Sequence, residues 1–218
     1  MKLKPMYKFY ATILDAYQRY LDSESPDSLQ ELIDRINRKP FVSEPAEKGT
    51  AFNEIVDLGI QGRLPSHLLS GENVVHGKFS FPVRIVSEFV NKFQGSLSQV
   101  RTEAILETSK GDVLLYGYVD ELLAFKASDI KTTGQYEYPK FSRNWQHKVY
   151  CYTLRKNNTM VDLFEYAVTD FHQVWNEEYV WNEKYVGELR NICERFIVFL
   201  ESQRSVITDK QIFGGEKA

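Results

Sequence analysis

Apolar side chains in the first half of the chain recur at intervals of three and four residues, a spacing typical of helices that bury one face. The first stripe predicts an N-terminal amphipathic helix. Its members are Tyr7, Tyr10, Leu14, Tyr17 and Leu21. Three further stripes predict helices within residues 26–40, 45–60 and 83–95. Pro26 and Pro45 stand at the predicted first turns of two of these helices, where proline is tolerated.

The pattern changes after Ser98 to the two-residue period of strands. Residues 99–108 alternate between polar and apolar side chains, and the β-rich run Val113–Leu123 follows after a turn. Lys126–Thr132 comes soon enough afterwards to pair with that run as a hairpin. These segments predict three consecutive strands.

The last part of the chain returns to helical spacing around Trp145. It then shows a strand pattern over 161–168 and a long apolar helical stripe over 185–200. The order of helices, three strands, helix, strand and helix predicts an α/β fold with a mixed central sheet and flanking helices.

Composition excludes several classes of protein. Hydrophobic residues make up 43% and charged residues 26% of the chain, which is ordinary for a globular protein with a buried core. No apolar run approaches the roughly 18 residues of a membrane span, and the N-terminus lacks the apolar centre of a signal peptide. The two cysteines form no CxxC pair, which argues against a zinc site or a disulfide framework. We therefore expect a cytoplasmic protein with no membrane partner.

Charge is unevenly distributed, although the net charge is only −3. The window 126–156 holds seven Lys or Arg residues against two acidic residues, whereas 170–188 holds one Lys against five acidic residues. A basic window in an acidic chain suits a groove for a polyanion, and a solvated helix face would give the same count. Arg143 and Lys148 lie in the basic window and are candidate contacts for a polyanionic substrate.

Two carboxylates and a lysine are predicted to meet on the hairpin. Asp120 interrupts a strongly apolar strand, and Asp129 and Lys131 stand two residues apart on the next strand, so their side chains share a face. Buried like charges repel unless a cation joins them. Hard oxygen ligands suit Mg²⁺ or Mn²⁺, and a lysine beside such an ion could orient water or stabilise charge on phosphate. On its own, the D-x-K spacing is a very weak signal and fits better with a surface Asp120 and an Asp129/Lys131 pair on a solvated strand.

Two predicted helices add polar pairs that lie one turn apart. Asn53 and Asp57 form the first pair, on an otherwise apolar helix, and Gln146 and Tyr150 form the second. We expect Gln146 to be an exposed helix position. Each pair could also be the solvated side of its helix.

The order and spacing of these residues resemble the PD-(D/E)XK nuclease superfamily, specifically its RecB-like branch, which includes phage recombination exonucleases. That branch carries G-xxx-H-xxx-E on a helix, G-x-x-D and D/E-x-K-T on consecutive strands, and Q-xxx-Y on the next helix. The counterparts in this chain fall within residues 45–155. They are Gly49-xxx-Asn53-xxx-Asp57, Gly117-x-x-Asp120, Asp129-x-Lys131-Thr132 and Gln146-xxx-Tyr150.

The resemblance implies a restriction-endonuclease-like αβββαβ core within a single nuclease domain over 1–218. That domain would contain a helical part at about 1–44, a motif-bearing core at about 45–170 and a C-terminal helix at about 180–205. The segment 59–81 lies between motifs, looks like an insertion and could shape the choice of substrate.

The resemblance also implies roles for the motif residues, with Mg²⁺ or Mn²⁺ as the cofactor. Asp120 and Asp129 would be metal ligands in the catalytic set, and Lys131 would be the catalytic lysine. Gln146 and Tyr150 would position the substrate backbone near the metal.

The helix motif departs from the family pattern at Asn53, where the family usually has histidine. The side-chain carbonyl of Asn53 is a hard oxygen that can still ligate Mg²⁺. Asp57 stands where the family has glutamate and is a further candidate metal ligand. Glu54 is a competing ligand, about 100° round the helix from Asn53.

These observations leave four hypotheses open, of which the last is a structural protein whose motifs match those of the family by chance. The first is a DNA exonuclease in recombination or repair, of phage or prophage origin. The second is a structure- or sequence-specific endonuclease on the same fold. The third is a non-catalytic nucleic-acid-binding relative, which Asn53 supports and the complete Asp120, Asp129 and Lys131 set argues against. The expected partner is DNA, and a homo-oligomer or a recombination partner protein is left open.

Overall fold

The computed structural model describes residues 6–40 and 43–214, so short pieces of the predicted N-terminal part and of the C-terminal tail lie outside it. The helices and strands follow one another as β1 (Tyr7–Tyr10), α1 (Ala11–Asp22), α2 (Ser28–Ile36), α3 (Glu44–Ile60), β2 (Leu69–Ser70), β3 (Asn73–His76), β4 (Phe79–Pro82), α4 (Val83–Lys92), β5 (Leu97–Leu106), β6 (Val113–Leu123), β7 (Lys126–Thr132), α5 (Gln146–Lys156), β8 (Leu163–Thr169), β9 (Val174–Val180) and α6 (Lys184–Ser202). Short 3₁₀ turns occur at Ser66–Leu68 and Lys210–Phe213.

The central sheet has six strands in the order β1-β6-β7-β8-β9, with β5 paired to β6. The β1–β6 and β7–β8 pairs are parallel, whereas β5–β6, β6–β7 and β8–β9 are antiparallel, so the sheet is mixed. The predicted αβββαβ core is confirmed and consists of α3, β5, β6, β7, α5 and β8. The restriction-endonuclease-like class follows from this arrangement.

Strand β6 changes its neighbour part-way along one edge. Strand β5 lines the other edge of β6, from Val113 to Leu122. On the first edge, β1 pairs with residues 113–116 and β7 pairs with residues 121–123. Within the described ladder, residues 117–120 therefore have no strand partner on that edge, and this opening is where the candidate site forms.

Two apolar clusters cover the sheet, one on each side. The larger cluster includes side chains of α1, α5 and α6, and the smaller one includes side chains of α3, α4 and the β2–β3–β4 sheet. Strand β7 contributes to both, because Ala127 belongs to the larger cluster and Ile130 to the smaller one. The alternation of a strand thus places Asp129 on the α5 side and its neighbour Ile130 on the α3 side.

The structure corrects the sequence-based elements at the start of the chain. Tyr7–Tyr10 is a strand and not the first turn of a helix, because it pairs in parallel with β6 and buries alternate side chains. The second helix begins at Ser28, so Pro26 precedes its first turn.

The structure also contains strands that the sequence patterns did not predict. Strand β9 forms one end of the main sheet, inside the acidic window 170–188. The segment 59–81 ends in a small antiparallel sheet of β2, β3 and β4. Among the described helices, none combines the length and apolar character that crossing a membrane requires.

Candidate active site

Asp120 lies in the opening where β6 and β7 separate. Its Oδ2 atom accepts a hydrogen bond of 2.8 Å from the backbone N–H of Ile130. The β6–β7 ladder ends at the Glu121–Ser128 pair. The N–H of Ile130 would have bonded to the β6 backbone if the ladder continued, and it donates to the Asp120 carboxylate instead. This contact holds the Asp120 side chain between the two strands.

Asp129 and Lys131 share one face of β7, as their spacing predicts. The Lys131 Nζ atom lies 2.6 Å from Asp129 Oδ2, and the Asp129 side chain is buried. Gln146, in the first turn of α5, donates from Nε2 to Asp129 Oδ1 over 3.0 Å. The carboxylate is therefore held by a cation on its own strand and an amide on the helix above it.

Helix α3 brings the polar pair of the first motif to the same place. The Asn53 Nδ2 atom donates to Asp120 Oδ2 over 3.4 Å. One turn later, Asp57 lies close enough to the side chains of Glu121 and Gln99 for both to affect its pKa, which burial raises. Gln99 Nε2 donates to Asp120 Oδ1 over 3.4 Å.

The competing ligand Glu54 faces elsewhere. Its Oε2 atom lies 2.8 Å from His76 Nε2 of the small sheet, and its side chain is 57% exposed. The geometry thus brings Asn53 towards Asp120 and turns Glu54 towards the insertion.

Two motif glycines allow the helices to approach the strands closely. A Cβ atom added at Gly49 would lie 3.0 Å from Thr132 Oγ1, and one added at Gly117 would lie 2.4 Å from the Tyr150 ring. The absence of these side chains lets α3 sit on the end of β7 and lets Tyr150 of α5 pack directly on β6.

The carboxylates of the site are crowded and poorly solvated. Burial, together with the charge of Asp129, raises the pKa of Asp120 to about 7. Burial also raises the pKa of Glu121 to about 8, with a further contribution from Asp57. Burial opposes the charge of Lys131, but Asp129 and Asp120 outweigh it and raise the pKa of that ammonium. Near neutral pH these two carboxyls therefore retain protons, because Lys131 alone does not offset the burial of several carboxylates.

The donor set fits a hard divalent cation. Asn53 Oδ1 and Asp57 Oδ1 are buried and accept no hydrogen bond, and buried oxygens of this kind are costly unless a donor or cation satisfies them. Asp120, which contacts Asn53, and Asp129, whose charge acts on Asp120, supply carboxylate oxygens. Oxygen-only sets suit Mg²⁺ or Mn²⁺. No three His, Cys, Asp or Glu side chains in residues 6–40 and 43–214 meet as a preformed metal cluster, so an ion here would also rely on the Asn53 amide.

The proposed substrate contacts divide into two groups. Gln146 and Tyr150 reach the site, but both are buried, so the expectation that Gln146 is exposed is wrong. That residue faces inward because it donates to the buried Asp129. Lys148 is bound to Glu188 over 2.8 Å and Arg143 to Asp22 over 2.7 Å, so each pairs with an acidic residue other than Asp120 and Asp129.

Sequence reasoning missed two acidic residues of the site. Glu121 is fully buried, and its signal was a second carboxylate directly after Asp120 in an apolar strand. Asp15 is buried on α1, where it accepts the backbone N–H of Trp145 at the start of α5. Its charge contributes to the raised pKa of Lys131, and its signal was an aspartate inside the apolar stripe of the first helix.

Comparison with known proteins places the fold beside two solved structures. The crystal structure of a protein named "Putative exonuclease" from Eubacterium rectale is 12% identical, with a TM-score of 0.53 over 94% of this chain and 83% of that chain. The crystal structure of a protein called SSO0001 is 13% identical, with a TM-score of 0.50 over 90% and 78% of the two chains. At 12–13% identity, the similarity to these two structures shows a shared fold and nothing more. No protein-family model matches the chain, and no curated protein sequence does.

Proposed function

We propose that this protein is a Mg²⁺- or Mn²⁺-dependent nuclease that hydrolyses phosphodiester bonds in DNA, and that it acts as an exonuclease in recombination or repair. The observation that carries the proposal is the convergence of Asp120, Asp129 and Lys131 where β6 and β7 separate, with the Asp129–Lys131 pair at 2.6 Å. The nuclease-like fold shared with the Eubacterium rectale protein supports it.

The side chains have distinct tasks in this proposal. Asp120 and Asp129, with Asn53, would hold the divalent cation, which would supply Lewis-acid stabilisation of the phosphate and make a water molecule more acidic. Lys131 keeps its proton because of the surrounding carboxylates, so it acts as a positive charge that orients the attacking water and stabilises charge developing on the phosphate oxygens. Gln146 fixes the rotamer of Asp129.

The test is cleavage of linear and circular DNA, single- and double-stranded, with Mg²⁺, Mn²⁺ or EDTA. We expect cleavage of linear DNA with either metal, none with EDTA, and none by Asp129→Asn, which keeps the shape of the side chain and removes a ligand charge. Asp162→Asn is the matched control, because Asp162 is exposed and pairs with Arg155. Full activity in EDTA would exclude the metal-dependent mechanism. Efficient cleavage of closed circular DNA would show that the protein is an endonuclease and not an exonuclease.

The helix ligand can be tested separately. Imidazole favours softer transition metals than an amide oxygen does, so Asn53→His should leave an active enzyme with a higher Mn²⁺/Mg²⁺ rate ratio. Glu54→Gln should change little, because Glu54 contacts His76. An unchanged Mn²⁺/Mg²⁺ rate ratio in Asn53→His, together with an inactive Glu54→Gln, would show that Glu54 and not Asn53 is the metal ligand on α3.

A further inference from the structure

One face of the β5–β6 pair is open to solvent and leads directly to Asp120. Along β6, Tyr116, Tyr118 and Asp120 alternate onto the same face. Tyr118 is 52% exposed, although large aromatic side chains are usually covered in a sheet of this kind. On β5, Arg101 is the register partner of Tyr118.

The same face continues onto β1. Tyr10 is the register partner of Tyr116, and their ring centroids lie 6.1 Å apart. Arg38 flanks this end, with its guanidinium 5.6 Å from the Tyr10 ring centroid and its Nη2 atom donating to Tyr116 Oη over 3.2 Å. We call the set of Tyr10, Tyr116 and Tyr118, with Arg38 and Arg101, the tyrosine track.

We infer that the tyrosine track binds an unpaired DNA strand as it approaches Asp120, so that the substrate of the site is single-stranded DNA or a frayed end. Aromatic faces combined with arginines are the chemistry that binds single strands, because unpaired bases stack on the rings and phosphates contact the cations. The bases of an intact duplex stack on one another and cannot lie flat on Tyr118. The inference rests on the proposed function for the identity of the site that the track reaches.

The spacing and charge of the tyrosine track support binding of an unpaired DNA strand. Residues two apart on a strand lie about 7 Å from each other, a span that one extended nucleotide covers, so a base stacked on Tyr118 places the next phosphate near Asp120. Arg101 pairs with Glu103 over 2.6 Å and Arg38 with Asp209 over 2.6 Å. Both arginines are at least half exposed, and exposed ion pairs contribute about 0–1 kcal/mol, so a phosphate can replace the carboxylate at little cost.

The experiment measures binding of fluorescent oligo(dT) and of a blunt duplex by anisotropy, in EDTA and at low ionic strength, so that no cleavage occurs. We expect single strands to bind more tightly than the duplex. Tyr118→Ala should weaken binding of the single strand roughly 5- to 150-fold, the equivalent of one stacked base, and Tyr118→Phe should restore it. Tyr138→Ala is the matched control, because Tyr138 is 68% exposed on the loop before α5, and it should bind as the wild type does.

Two results would overturn the inference: tighter binding of the duplex than of the single strand, or unchanged single-strand affinity in Tyr118→Ala. A parallel cleavage assay separates this outcome from failure of the proposed function. Tyr118-dependent binding without metal-dependent cleavage would refute the proposed nuclease function and support the tyrosine track as a binding surface. Cleavage confined to duplex DNA would support the nuclease function and refute the tyrosine track.

Discussion

The contact between Gly117 and Tyr150 gives a quantitative prediction about the packing beneath the site. A Cβ atom at position 117 would lie 2.4 Å from Tyr150 Cε1, 3.0 Å from its hydroxyl oxygen and 3.1 Å from Cζ. Carbon atoms pack at about 3.5–4.0 Å, so the ring would have to move by about 1 Å. Tyr150 is buried, and its neighbours leave little room for that movement.

We expect Gly117→Ala to lower the free energy of unfolding by about 1–3 kcal/mol, the usual cost of overpacking a core. Without the contact, the same change in a strand interior would stabilise the protein by about 0.5–1 kcal/mol, so the sign of the effect is diagnostic. The displaced ring would also disturb the surroundings of Gln146, which interacts with the Tyr150 hydroxyl and holds Asp129, so the rate of the proposed nuclease reaction should fall as well.

Urea unfolding in a double-mutant cycle tests the cause. Tyr150→Leu removes the atoms that Gly117→Ala would meet, so in that background Gly117→Ala should cost nothing, with a coupling energy of about 1–3 kcal/mol. Gly187→Ala is the control, because no atom lies within 4 Å of its added Cβ and α6 should gain stability. The reasoning fails if Gly117→Ala is as stable as the wild type, or if its cost is the same in the Tyr150→Leu background.

Three other changes give separate outcomes. Burial lowers the pKa of His147 to about 3, so the neutral imidazole contributes stability that is fully present above pH 6.5 and is lost as the pH falls towards 3. Between pH 7.5 and 5, the free energy of unfolding of the wild type, measured in urea, should fall by about 2 kcal/mol more than that of His147→Phe. Lys131→Met should reduce turnover by roughly 10²–10⁴ while calorimetry still detects Mn²⁺ binding, and the opposite pattern would refute its catalytic role. Gln146→Ala should lower both the melting temperature and the rate, because it removes a donor from buried Asp129; an unchanged melting temperature would contradict that contact.

The core of the fold could be predicted because its elements carry strong periodic signals. The apolar stripe of α3 and the β-rich run of β6 each match the observed element closely. The β6–β7 hairpin followed from the short connection between two β-rich runs. Asp129 and Lys131 could be placed on one face from their spacing alone, since a strand alternates its side chains.

The remaining parts depend on contacts that are distant in the sequence. Tyr7–Tyr10 has an apolar spacing that suits a helix, and only its pairing with β6 makes it a strand. Strand β9 has an asparagine and two glutamates at its centre, so it lacks the apolar alternation that would reveal it. The burial of Gln146 and Glu121 could not be predicted, because it depends on partners on other elements. These are Asp129 for Gln146, and the hydroxyls of Ser96 and Ser98 for Glu121.

The change of neighbour along β6 determines when the candidate site can assemble during synthesis. Strand β1 is made about a hundred residues before its partner residues, Val113–Tyr116, and α5 with Gln146 follows later still. Contacts between such distant segments close slowly, because a long loop must be ordered before they form. The opening that holds Asp120 therefore has both of its flanking strands, β1 and β7, only after Thr132 has been made, and Asp129 gains its contact with Gln146 only after α5 has begun.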